Sequence, residues 1–199
     1  MRRFAWWVVF PIIKVVSRLA WGLRIDRQAS FPRPPFVIAA NHYSFLDPAL
    51  VGAAYGKRQR FFALVDLFGN YRLLDWTLRT FEVIEVRRGT VPLGPLRQAL
   101  AHLDQGGVVS VFPEGTRVWK FGEVTPRRGA AWLAVRSGVP LVPVAVLGSE
   151  RILGVDNRLH RGRLRALVGS PLRPQGSGRE AVDDLHQRWM EWMTSALGG

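Results

Sequence analysis

The chain has 199 residues, 48% hydrophobic and 22% charged, a composition that fits one globular domain with a real core and excludes a disordered or fibrous protein. It has no cysteine, which excludes a disulfide scaffold, thiolate catalysis and any Cys-ligated metal or iron–sulfur site. Its 28 basic residues against 15 acidic give a net charge of +13, so anionic partners are expected: nucleic acid, an anionic membrane surface or phosphate-bearing substrates.

Only Lys14, Lys57 and Lys120 are lysines; the other basic residues are arginines, whose planar fork meets phosphate with two parallel hydrogen bonds. Residues 1–25 open the chain with a basic, Trp-rich apolar segment. Arg2 and Arg3 look like the start of a signal peptide, but no A-x-A-like cleavage site follows, and Lys14, Arg18 and Arg24 soon interrupt it. The charge-free run from Phe4 to Ile13 is 10 residues, half of the roughly 20 needed to span a bilayer. At helical spacing Arg3, Trp7, Lys14, Arg18 and Trp21 form one narrow stripe, and most other positions are apolar. That pattern suits a helix lying in a membrane interface, with packing on the domain core and a true span as the alternatives. Pro11 is expected to kink or split this helix. Trp189 and Trp192 add interfacial aromatics near the other end. The segment 1–30 is thus expected to be a membrane-associating helical unit, with the domain proper over 31–199.

FPRPP at 31–35 reads as a connector. Strands are expected at 36–40, 61–65, 81–86, 108–112, 139–147 and 164–168. Helices are expected at 48–55, 71–79, 92–105, 129–137 and 180–197, several bounded by Pro near the start or Gly at the stop. Strands alternating with helices predict an α/β fold with a mostly parallel central sheet flanked by helices.

In open α/β sheets, sites form where strands end. One such end is Ala39-Ala40-Asn41-His42-Tyr43-Ser44-Phe45-Leu46-Asp47-Pro48. On a continuous helix, five residues turn through about 500°, which would leave His42 and Asp47 pointing apart. They meet if His42 lies in the strand–helix turn and Asp47 in the first helical turn. A neutral imidazole can then accept a proton on one nitrogen while the carboxylate holds the other. By themselves these residues also read as ordinary turn and cap residues. The second strand end is Phe112-Pro113-Glu114-Gly115-Thr116-Arg117, where glycine permits close backbone approach and Thr and Arg offer donors to phosphate. Arg87–Arg88 and Arg127–Arg128 are further paired cations, able to clamp phosphate or to sit solvated.

Together these blocks resemble the glycerophospholipid acyltransferase family of the bacterial 1-acylglycerol-3-phosphate acyltransferase type. N-H-x-S-x-x-D is matched at 41–47 and F-P-E-G-T-R at 112–117. An arginine after the intervening strand is matched by Arg88, and a V-P-hydrophobic-x-P-V block by 139–144. The resemblance covers about residues 36–148. It implies transfer of an acyl group from acyl-CoA or acyl-carrier protein to the sn-2 hydroxyl of 1-acylglycerol 3-phosphate, yielding phosphatidate. In that scheme His42 is the general base and Asp47 orients it. Arg88 and Arg117 bind phosphate, and Glu114, Gly115 and Thr116 shape the acceptor site. No cofactor and no metal are expected, the thioester being a substrate. Expected partners are the donor, a lysophosphatidate-like acceptor and an anionic membrane surface at the cytoplasmic face of the inner membrane, with no nucleic acid. Other acceptors, namely glycerol 3-phosphate, a lysophospholipid or a lipid-like alcohol, are the alternative within the family. A basic nucleic-acid-binding module is the alternative outside it. That alternative wants aromatics interleaved with basic residues on one surface, whereas here tryptophans gather near the ends.

Overall fold

The computed structural model describes residues 2–67, 78–79, 81–87, 93–154, 156 and 158–198. The chain opens with helix α1 (Arg2–Trp21) and strand β1 (Arg24–Arg27). Next come β2 (Phe36–Ala40), α2 (Asp47–Tyr55), β3 (Arg60–Leu64), β4 (Ile84–Val86) and α3 (Leu93–Asp104). The remainder is β5 (Val108–Val111), α4 (Gly129–Ser137), β6 (Leu141–Leu147), α5 (Ser149–Ile152), β7 (Arg165–Val168) and α6 (Gly178–Leu197). Apart from its last two residues, the helix expected over 71–79 lies outside the described residues.

The strands form one sheet in the order β1-β7-β6-β2-β5-β3-β4. All pairings are parallel except that of β7 with β6. This is the mostly parallel, helix-flanked α/β architecture expected from the alternation of elements. Every residue of β2 is buried, as befits a central strand covered on both faces. Its side chains alternate between two cores. Phe36, Ile38 and Ala40 join Leu50, Val51 and Ala54 of α2 on one face. Val37 and Ala39 join Ala131 and Ala134 of α4 and Leu185, Trp189 and Met193 of α6 on the other. The Trp189 indole N–H also donates to the Ala39 carbonyl at 3.1 Å, so this large ring is buried without an orphaned polar atom.

The topology places the reactive loops. β2 lies between β5 and β6 and is parallel to both. The segments leaving the C-terminal ends of these three strands therefore emerge side by side. They carry the His42, Glu114 and Gly148 regions respectively.

Three expectations change. Trp189, expected as an interfacial aromatic, is a core residue, 1% exposed and packed beneath β2. Pro11 does not split the N-terminal helix, which runs unbroken from Arg2 to Trp21. Burial holds it on both sides of the proline, through Trp6 and Phe10 before it and Ser17 after it, which offsets the missing backbone bond. Residues 24–27, expected within the N-terminal segment, form an edge strand in register with β7, Arg24 opposite Arg165. Leu23 is buried and Ile25 packs on the core, yet the sequence Arg-Ile-Asp-Arg lacks the apolar alternation that would announce a strand.

α1 meets α2 at a close approach. Phe10, 3% exposed, lies against α2 where Gly52 leaves room for it. A Cβ on Gly52 would come within 1.9 Å of the Phe10 ring, and that ring is boxed by Trp6 at 5.2 Å and Phe81 at 5.3 Å between centroids. Gly52→Ala is therefore expected to cost about 1–3 kcal/mol through overpacking. In a Phe10→Ala background the cost should largely vanish. Urea melts of the four proteins of this cycle check it, and an unchanged cost in both backgrounds would refute the contact.

Candidate active site

The site is organised by Asp47, the first residue of α2, which is wholly buried. One of its oxygens, Oδ2, accepts three donors. They are the Tyr43 N–H at 2.6 Å, the Ser44 N–H at 2.7 Å and His42 Nδ1 at 3.1 Å. Because a carboxylate only accepts, the His42 proton sits on Nδ1 and the lone pair on Nε2. The condition required for the pair to meet is fulfilled: His42 stands in the turn after β2, and Asp47 begins the helix.

The same turn is fixed on its other sides. Asn41, wholly buried, donates to the Val146 carbonyl at 2.8 Å and accepts from the Val146 N–H at 2.7 Å, stitching the end of β2 to β6. The Ser44 hydroxyl donates to the Leu153 carbonyl at 2.5 Å and accepts from the Leu46 N–H at 3.0 Å. The Ser44–Leu46 contact is a turn duty of the kind the sequence left open, whereas Asn41 joins two strands and no side chain caps α2. The Tyr43 hydroxyl accepts from the Phe121 N–H at 3.1 Å, and burial pushes this phenol up to about 12, so it is a neutral group.

The second loop clasps the first. His42 N–H donates to Glu114 Oε1 at 3.2 Å, and His42 C=O accepts from Val118 N–H at 3.0 Å. The imidazole lies on the Phe112 ring, with centroids 4.4 Å apart and planes 23° apart. Its side chain retains 17% exposure, so one edge of the ring can meet a ligand. Glu114 itself is only 2% exposed. Burial pushes its carboxyl up to about 7, with the Asp47 charge adding to the rise and the backbone N–H groups of Glu114 and His42 opposing it. Gly115 takes a left-handed backbone, φ +68°, which favours glycine. Arg117 is half-buried, its guanidinium 3.6 Å from the Phe45 ring centroid in a cation–π stack, and it donates to the Gly154 carbonyl at 3.3 Å.

Of the residues expected at the site, His42, Asp47, Glu114, Gly115, Thr116 and Arg117 thus come from two adjoining loops, and Arg88 lies outside the described residues. Arg127 passes close to Gly115 and donates its backbone N–H to the Pro113 carbonyl at 2.8 Å, whereas Arg128 pairs with Asp183 at 2.9 Å. Three features had no counterpart in the sequence reading: the Phe112 platform, the Phe45–Arg117 stack and a basic cleft beside Tyr43. Only the cleft left a sequence signal, the run of arginines at 158, 161, 163 and 165. Among the described residues no cluster of three or more His, Asp or Glu side chains could hold a metal ion.

Comparison with known proteins adds the following. The family model described as Acyltransferase matches residues 22–147. A 1-acyl-sn-glycerol-3-phosphate acyltransferase of Pseudomonas aeruginosa is 26% identical over 209 residues, covering 98% of this chain and 74% of that protein. One of Bacillus subtilis is 26% identical over 162 residues, covering 80% of this chain and 78% of that protein. The chloroplastic enzyme BAT2 of Brassica napus is 29% identical over 143 residues, which are 69% of this chain, and the match spans only 41% of the plant protein's length. The crystal structure of the 1-acyl-sn-glycerophosphate acyltransferase PlsC from Thermotoga maritima shares the fold, with a TM-score of 0.76 at 24% identity over 100% of this chain and 82% of that one.

The raised Glu114 carboxyl carries a pH signature. Its folded value of about 7 stands above the ordinary 4.5, so the native state holds this proton more tightly than the unfolded chain does. The stability it contributes is complete below about pH 4.5 and is lost as pH rises through 7. Glu114→Gln keeps an acceptor for the His42 N–H and removes the ionisation. The melting temperature of the wild type should therefore fall relative to the variant between pH 4.5 and 7. A constant difference across that window would mean that Glu114 ionises normally.

Proposed function

The chain belongs to the acyltransferase family, and from that premise we propose that it moves a fatty acyl group from a thioester to the sn-2 hydroxyl of 1-acylglycerol 3-phosphate, making phosphatidate. The observation that carries this reading is the His42 imidazole, held through Nδ1 by a buried carboxylate with Nε2 left as base. Nε2 removes the acceptor hydroxyl's proton as that oxygen bonds to the thioester carbonyl carbon. The tetrahedral adduct then collapses, the C–S bond breaks, and the proton on the imidazolium passes to the departing sulfur. Asp47 keeps the tautomer and stabilises the imidazolium between the two transfers. A thiolate is a good leaving group, so a single base suffices. Arg117, with Arg88, holds the acceptor phosphate, and Gly115 and Thr116 line its approach. Glu114 acts from behind, fixing the His42 backbone.

The acceptor of such a reaction lives in a bilayer, and α1 suits that surface. Trp6, Phe10 and Ser17 are buried against the domain, while Trp7, Val8, Ile12, Val15, Val16 and Leu19 are exposed, as are Lys14 and Arg18. No helix among the described residues is long and apolar enough to cross a membrane. The helix lies in the interface of the inner membrane's cytoplasmic face, its exposed apolar side buried in lipid and its cations on anionic headgroups.

Two results test this. His42→Ala should lower kcat by about 10²–10⁴-fold, the usual worth of a general base, with the melting temperature little changed; Asp47→Asn should be severe as well. Thiol release from palmitoyl-CoA with 1-acylglycerol 3-phosphate measures it, and near-wild-type turnover by a folded His42→Ala protein would sink the assignment. For the membrane, Ile12→Asp, Val15→Asp and Leu19→Asp combined should abolish flotation with anionic liposomes, whereas high salt should weaken flotation of the wild type only in part. Undiminished flotation of the triple variant would place the anchor elsewhere.

A further inference from the structure

A cleft of about 710 Å³ opens beside the His42 loop, within the size range of ligand sites. Its walls carry Arg24, Lys120, Arg151, Arg161, Arg163 and Arg165, against one acidic side chain, Glu150. Arg165 pairs with Asp26 at 2.6 Å, and Arg151 lies 3.7 Å from Glu150. No salt bridge among the described residues engages the other four cations. Cations gathered in one concavity without counter-charges repel one another, and a bound polyanion relieves that repulsion.

Strand direction explains the gathering. β7 is antiparallel to β6 and β1 is parallel to β7, so Leu147, Arg165 and Arg24 lie in register on adjacent strands. The beginnings of β7 and β1 are thereby turned to the edge of the sheet where β2, β5 and β6 end. The cleft also touches the reacting centre through three short links. Tyr43, adjacent to His42, lines it. Trp119 and Lys120, which also line it, follow Val118, whose N–H is bonded to the His42 carbonyl. Gly148, which also lines it, lies two residues beyond Val146, which Asn41 grips.

Resting on the acyl-transfer reading above, we infer that this cleft binds the 3′-phospho-ADP end of a coenzyme A thioester, whose pantetheine arm runs past Tyr43 to His42. The four cations outside the two ion pairs, Arg24, Lys120, Arg161 and Arg163, exceed what the single phosphate of the acceptor needs and suit a ligand with three phosphate groups. Arginine forks suit phosphate oxygens, and Trp119, 54% exposed on the wall, offers a face on which adenine stacks. A flat lipid surface does not enter a concavity, and an acidic carrier protein meets its rim, not its interior.

The test compares three donors on the full-length chain: palmitoyl-CoA, palmitoyl-acyl-carrier protein, and the palmitoyl thioester of N-acetylcysteamine, which keeps the reacting end and lacks the nucleotide. Arg161→Ala/Arg163→Ala changes two exposed side chains. It should raise KM for palmitoyl-CoA roughly tenfold or more, as expected for lost charge-assisted contacts, and leave kcat/KM for the N-acetylcysteamine thioester unchanged. Adenosine 3′,5′-bisphosphate should compete with palmitoyl-CoA on the wild type, which checks the site even if the variant folds poorly. An unchanged palmitoyl-CoA KM, equal losses with both small donors, a loss confined to the carrier-protein donor, or a loss of liposome flotation alone would each overturn the inference. Failure of the wild type to use any of the three donors would instead refute the acyl-transfer reading.

Discussion

One oxygen atom organises the reacting centre. Asp47 Oδ2 receives two backbone N–H groups and a ring nitrogen at 2.6–3.1 Å with no exposure to solvent. A buried carboxylate is tolerable only when donors meet it, and here all three donors reach Oδ2 and belong to the turn it has to shape, while Oδ1 is buried without a hydrogen-bond partner among the described residues. The charge also sits in the first turn of α2, where the helix dipole favours it. Folding the turn and preparing the imidazole are therefore the same event. The chain cannot satisfy Asp47 without presenting His42 in the tautomer that leaves Nε2 available.

The second loop explains why a strand away from β2 matters to the same histidine. Glu114 and Val118 occupy both backbone polar groups of His42, and Phe112 supports its ring. That leaves the imidazole with few alternative positions, and holding reacting groups in one orientation is a large part of enzymatic rate enhancement. The shape of the Phe-Pro-Glu-Gly-Thr-Arg segment is therefore set from two sides. Its backbone and carboxylate face inward to the histidine, while Thr116 and Arg117 remain at least partly accessible.

The parts written locally in the chain are those the sequence made legible. β2 is a short apolar run, α4 ends at a glycine with φ +65°, and the His–Asp spacing admits a pair only at a strand–helix turn. What stayed hidden depends on contacts between distant residues. Phe10 against Gly52 is a meeting of two helices that no local pattern encodes. β1 is recognisable only beside β7, because its own residues alternate too weakly. Glu114 is the instructive case. A carboxylate in a loop reads as solvated or ligand-facing, and only its neighbours reveal that it is sealed beneath His42. The arginine run at 158–165 was visible as letters, but its meaning depended on the direction of β7.

Because β7 runs against β6, bond-making and charge recognition are divided between different parts of the chain. The groups that position His42 belong to β2, α2 and the segments following β5 and β6, whereas most of the cations of the cleft come from the outer strands and the loop feeding them. Substitutions in that outer territory alter surface charge without disturbing the hydrogen bonds of Asp47. A lineage built on this scaffold is thus free to trade one anionic group for another by drift at the periphery, with the proton-transfer apparatus inherited intact.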